Sequence, residues 1–192
     1  MNIPLKNTKE GYGSIAIALH WSMAPIIIGL FLLGLYMGTL EYVDGWYTRA
    51  PHLHESFGLV VFAMLCLRSF WTIINTSPEP VPMPAWEHIT AVAVKYLLYL
   101  LLFALTISGF LISTADGRSI DLFNWAEVPA VFSGIEHQED IAGGIHAILA
   151  WVTIGLVGLH FMAAMKHHFI DRDATLLRML GRGSKKTKKE NI

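Results

Sequence analysis

Charged side chains are scarce in this sequence. Asp, Glu, Lys and Arg make up 15% of the 192 residues, against about 25% in a soluble domain. Hydrophobic residues make up 54%, with a mean hydropathy of +0.48, a composition that makes lipid the solvent. Cysteine is nearly absent. Cys66 stands alone, so the chain can build no disulfide framework, thiolate zinc site or iron–sulfur cluster, and no CxxCH occurs for covalent haem attachment. Cys66 itself reads as a small apolar residue. The apolar runs contain no carboxylate at all, which removes the usual members of an intramembrane proton relay. A cleavable signal peptide is not expected either. The start, MNIPLKNTKEGYGS, is polar, and the apolar run after it continues to Tyr36 and Met37, too far for a signal core.

What is present is four long apolar runs, at about 15–38, 56–74, 92–114 and 141–165. About 20 such residues cross about 30 Å of hydrocarbon. The expectation is an all-α integral membrane protein, an antiparallel four-helix bundle. Residues 1–14 would precede it, 15–168 would form the membrane domain, and 169–192 would be a basic tail. Pro25 is tolerable inside the first span because neighbouring groups re-satisfy the freed carbonyl. The four prolines of TSPEPVPMPAWEH forbid continuous helix between the second and third spans. The connection after the third span is long and rich in turn residues, with Phe123 and Trp125 suited to an interface or a lid.

Basic residues set the expected orientation. Of 14 Lys and Arg, only Arg49 and Arg118 fall on the side of the 1–2 and 3–4 loops. The other side is therefore cytoplasmic by the positive-inside rule, with both termini inside an inner membrane. The tail cluster at 184–189 acts as an orientation signal with affinity for lipid, and no nucleic-acid partner is expected. The outer segments carry nine acids, for a formal charge of −7.

Nine histidines remain, and an ionisable group in a membrane span needs a reason to be there. His146 and His160 are 14 residues apart, roughly 21 Å along a helix and about 40° short of four full turns. Both imidazoles face nearly one way, one in each leaflet. His54 opens the second apolar run at the outer depth of His146, and His20 lies at the inner depth of His160. Two pairs at two depths suit two stacked haems with bis-histidine ligation, which saturates iron and favours electron transfer over O₂ chemistry. Zinc fits poorly, because ligands about 20 Å apart along one helix cannot share one ion. His52 would point about 200° away from His54 on a helix. His88 and His137 read as solvated loop residues.

Glycines at 58, 143, 144, 155 and 158 serve either the approach of a flat macrocycle or ordinary helix packing. Arg68 pairs with a haem propionate or snorkels to the headgroups. His167, seven residues beyond His160, projects toward the cytoplasmic edge of the lower haem, where a quinone would arrive and take up protons; alternatively the KHH cluster only marks the end of the span.

The segments ALHW (18–21), DGWYTRAPHLHESFG (44–58), SGFLISTADG (108–117), GIHAILAW (144–151), GLH (158–160) and KHHFIDRDATLLRML (166–180) resemble bacterial cytochromes b561 of the small, four-helix, di-haem type, in their YceJ-like branch. The resemblance implies two haem b groups on His20, His54, His146 and His160, and ubiquinone as partner near His167. It implies single-electron transfer between the quinone pool and a periplasmic redox partner. Some relatives oxidise superoxide and pass the electron to ubiquinone. Here the outer charge of −7 would repel that anion, and Met83 stands where such a relative has lysine. A transporter or scaffold would leave the four matched histidines without a purpose.

Overall fold

The computed structural model describes residues 3–182. Four helices long and apolar enough to cross a membrane dominate it: α1 (Ser14–Met37), α2 (Arg49–Ile74), α3 (Ala85–Ser113) and α4 (Gln138–Phe169). A two-stranded hairpin, β1 (Ile120–Leu122) and β2 (Ala126–Val128), lies between α3 and α4, and a short α5 (Thr175–Met179) follows α4. Packing runs α1 to α2, α2 to α3 and α3 to α4. The ring closes from α1 to α4 partly through aromatic side chains, with Phe31 against Trp151 at 5.1 Å between centroids. This is a multi-pass membrane four-helix bundle.

Hydropathy predicts the spans but not their ends. The apolar run predicts a start of α2 at 56, yet the helix begins at Arg49. Pro51 sits in its first turn, where its missing N–H has no intrahelical partner to lose. His54 is therefore already inside helix when the apolar run begins. Helix α3 starts at Ala85 behind Pro84, and Glu87 in its first turn complements the helix dipole. His88, expected in a loop, is an exposed residue of this helix. Pro25 leaves α1 continuous.

The interior is thin. Met23, Val61, Leu65 and Leu102 form its buried centre, with Ile26, Ile27, Leu30, Met64, Tyr99 and Phe103 around them. Most apolar side chains of the spans point outward, as lipid solvation requires. Cys66 is among the exposed residues, so it faces outward rather than into the core.

At one end of the bundle, three segments that an even number of spans would bring together do meet. Asn7 donates to the Thr76 carbonyl at 3.0 Å, Arg178 donates to the Glu79 carbonyl at 2.6 Å, and the Trp21 indole donates to Met179 O at 2.7 Å. The basic cluster at 184–189 lies outside the described residues.

At the other end, the hairpin is clamped to α2. Fully buried Ser56 donates to Asp121 O at 3.1 Å and accepts from the Phe123 N–H at 3.2 Å. Ser56→Ala would leave that amide unsatisfied, at roughly 1–3 kcal/mol. Hydrogen–deuterium exchange at residues 120–128 is expected to accelerate by one to two orders of magnitude, with the four long helices unchanged.

Candidate functional site: two facing histidine pairs

Two imidazole pairs face one another across the bundle. At the hairpin end, His54 from α2 and His146 from α4 have ring centroids 6.2 Å apart. At the end near the termini, His20 from α1 and His160 from α4 are 6.4 Å apart. Two metal–imidazole bonds of about 2 Å each, added to the ring radii, fill such a gap. Each pair is thus spaced to take one metal ion between its rings. His52 is turned away, with Nε2 3.7 Å from Asp121 Oδ2 at the hairpin.

The neighbours of the rings are more informative than the spacing. His146 Nδ1 lies 3.0 Å from the Leu105 carbonyl and 3.1 Å from the Ser108 hydroxyl, both on α3. A carbonyl only accepts, so Nδ1 carries the proton and the Nε2 lone pair is free for a metal. Gly109 completes this seat: a Cβ there would lie 3.1 Å from His146 Cε1. Opposite, Gly34 of α1 lies under His54, where a Cβ would come within 3.4 Å of Cε1. His54 Nδ1 faces the same glycine and is buried without a protein hydrogen bond. These observations fit an axially ligated planar cofactor.

The pair near the termini is held differently. Arg68 Nη1 is 2.9 Å from His20 Nδ1, and its Nε donates to Tyr99 Oη at 3.1 Å. Guanidinium has donors only, so His20 Nδ1 accepts and its ring proton sits on Nε2; with Nε2 on a metal the proton would move to Nδ1 and this contact would open, the guanidinium remaining beside this pair. Arg68 therefore turns into the bundle instead of snorkelling outward.

Sequence reasoning did not find Gly34, Leu105, Ser108, Gly109 or Tyr99. The SG dipeptide in the middle of an apolar run was the available signal, since small and hydroxyl residues in membrane helices mark close contacts. The glycines at 58, 143, 144, 155 and 158 touch no such ring, and a Cβ at each would meet nothing within 4 Å.

His167 is buried in a network of acids at the end near the termini. Its Nδ1 is 2.8 Å from Asp173 and 3.0 Å from Asp171, and its Nε2 is 3.8 Å from Glu87. Glu87, His167 and Asp171 could together ligate a cation. Lys166, however, already places its ammonium 2.7 Å from Glu87 and 2.9 Å from Asp171. Burial pushes the Asp173 carboxyl up, but the Thr175 N–H and the charge of His167 outweigh it and hold its pKa below the usual carboxylate value.

Four membrane helices and two facing imidazole pairs define a membrane protein suited to carry planar metal cofactors. The chain belongs to the prokaryotic cytochrome b561 family, whose model matches residues 11–182. It is 49% identical over 181 residues to cytochrome b561 homolog 2 of Escherichia coli K12, covering 93% of this chain and 95% of that one. Cytochrome b561 homolog 1 of the same organism is 28% identical, covering 89% and 97%. A probable superoxide oxidase of Yersinia pestis is 26% identical, covering 88% and 95%. Membership makes this a haem b protein of membrane electron transfer.

Two outcomes follow. Gly109→Ala, which crowds His146, is expected to lower bound haem or broaden its absorption bands, whereas Gly143→Ala is not; spectra of the purified variants compare them. The depressed pKa of Asp173 implies that its contribution at the α4–α5 junction is full above about 3.9, the ordinary carboxylate value, and is lost as pH falls through the lower folded value. Tryptic cleavage after Arg178 is expected to accelerate for Asp173→Asn at neutral pH.

Proposed function

We propose that this protein relays single electrons across the membrane between a periplasmic redox partner and ubiquinone. His54 and His146 hold an outer haem b, and His20 and His160 an inner one. The observation that carries this reading is the pair of facing imidazoles at each of two levels, 6.2 and 6.4 Å between centroids, joined by one helix. The haems, once bound, supply a one-electron couple at each level. The protein fixes ring orientation of His146 through Leu105 and Ser108, and excludes water with an apolar interior. A positive charge beside the inner pair favours arrival of an electron there, which supports flow from the outer level to the inner one. Arg68 is not an iron ligand; it acts by its charge beside the inner haem, and pairing with a propionate would keep that charge there.

The positive-inside count supports cytoplasmic termini, and the boundaries 15–168 and 169–192 divide the membrane domain from its tail. Ubiquinone would then react at the level of His20 and His160. His167, 9% exposed and flanked by carboxylates, would serve that end as part of a polar network.

A second reading, superoxide oxidation coupled to ubiquinone, is favoured by the likeness to the Yersinia pestis protein. The outer charge of −7 argues against it. Stopped-flow mixing of the purified cytochrome with a superoxide source or with ubiquinol separates the two. Ubiquinol is expected to equilibrate with the haem bands in the wild type and to lose that reaction in His160→Ala. Fast haem reduction by superoxide that persists at high salt would move the assignment to the second reading. Arg68→Gln is expected to lower the midpoint potential of the inner haem and leave the outer one in place, as read by redox titration.

A further inference from the structure

The geometry points to the β1–β2 hairpin as a docking platform for a soluble protein of positive charge, anchored on Trp125. The inference rests on the outward sidedness and the outer haem proposed above, and it adds the surface through which a partner would reach them.

Several features of this hairpin are locally unfavourable. Phe123 and Asn124 occupy its turn with φ of 53° and 58°, and the Trp125 N–H closes the turn on Leu122 O at 3.0 Å. Asn adopts this left-handed conformation readily, but a bulky Phe rarely does. Asp121 stands directly opposite Glu127 across the strands, and like charges so placed repel. Trp125, beside the turn, is 86% exposed. When several local rules fail in one short segment, the segment serves something other than its own stability.

What it presents outward is an exposed tryptophan with carboxylates on both strands beside it. Val131, Phe132 and Ile135 of the same loop are exposed along with Trp125. Asp121 is near His52, and Glu127 accepts from the Ser119 hydroxyl at 2.8 Å. The loop's own cation, Arg118, is engaged by Glu55 at 3.5 Å and Asp116 at 3.8 Å. Negative charge therefore prevails around the tryptophan. An aromatic anchor inside a charged rim is the anatomy of a protein interface, and charge complementarity makes its partner cationic. An anionic lipid surface would repel these carboxylates.

The hairpin is also well placed. The Trp125 ring lies 6.2 Å from Phe123, and Phe123 lies 5.1 Å from Phe57, which is three residues along α2 from His54. With Ser56 fixing the hairpin, a partner seated on Trp125 is linked by successive ring contacts to the helical turn that carries an outer imidazole.

The test uses the full-length haem-loaded protein in lipid nanodiscs, with binding read as mass by surface plasmon resonance. The probes are a strongly basic soluble c-type cytochrome and the same cytochrome with its lysines succinylated. The basic form is expected to bind in a salt-sensitive manner and the succinylated form not to bind. Trp125→Ala, and separately the double change Asp121→Asn with Glu127→Gln, should each weaken binding about tenfold or more. The amide oxygen introduced by Asp121→Asn still accepts from the Asn124 N–H, so the hairpin stays closed. Equal binding by wild type and variants would overturn the proposal. So would quenching of the Trp125 emission, taken as the difference from Trp125→Phe, by acyl-brominated lipid in place of aqueous iodide, because the tip would then be a membrane anchor. The signal is mass and not absorbance, so an altered haem count with Trp125-dependent binding intact would revise the haem reading and uphold the platform.

Discussion

Fourteen residues of α-helix, roughly 21 Å, separate the two levels of this bundle, and three helices keep that interval. On α4 it separates His146 from His160. On α1 it separates His20 from Gly34, which lies under the His54 ring. On α2 it separates His54 from Arg68, which bonds to His20. Each of these helices thus contributes one contact to the pair at the hairpin end and one to the pair near the termini, and four nearly complete turns keep both contacts on one face. A change of one residue between them would rotate one contact by about 100°. The interval is therefore the constraint that fixes the relative rotation and depth of the helices. The sparse apolar core around Leu65 and Leu102 fills the space between the levels.

The two levels share a plan and differ in electrostatics. His146 donates its Nδ1–H to a backbone carbonyl, an arrangement that leaves a neutral imidazole ready to ligate. His20 instead lies beside a guanidinium, 2.9 Å from its Nδ1. In a low-dielectric interior, a charge beside one site acts on that site far more than on another about 20 Å away. A chain with no carboxylate in its apolar runs and one arginine beside one pair can in this way set two otherwise similar sites apart.

Hydropathy and helical spacing made the spans and the two histidine pairings legible, because a membrane helix is a rigid ruler and the cost of unsatisfied backbone leaves few alternatives. The ends were not legible. RAPHLHE and AWEHITA are polar enough to read as loop, yet helix continues through both, since only the hydrocarbon depth demands apolar residues. The hairpin was hidden as well: three-residue strands are too short to show alternation, and its turn carries Phe-Asn in place of a glycine signal. The seats of the rings, Ser108, Gly109 and Gly34, depend on how α3 and α1 are rotated about their own axes. Nothing local in the sequence encodes that rotation.

The central claim is that each facing pair holds one haem. A pyridine haemochrome assay on the purified wild type, with His20→Ala, His54→Ala, His146→Ala and His160→Ala beside it, tests this most directly. The account predicts about two haems b per chain in the wild type, as two bis-histidine sites require, and about one in each variant. A wild-type value near one, or a value near two that survives any of the four changes, would contradict it.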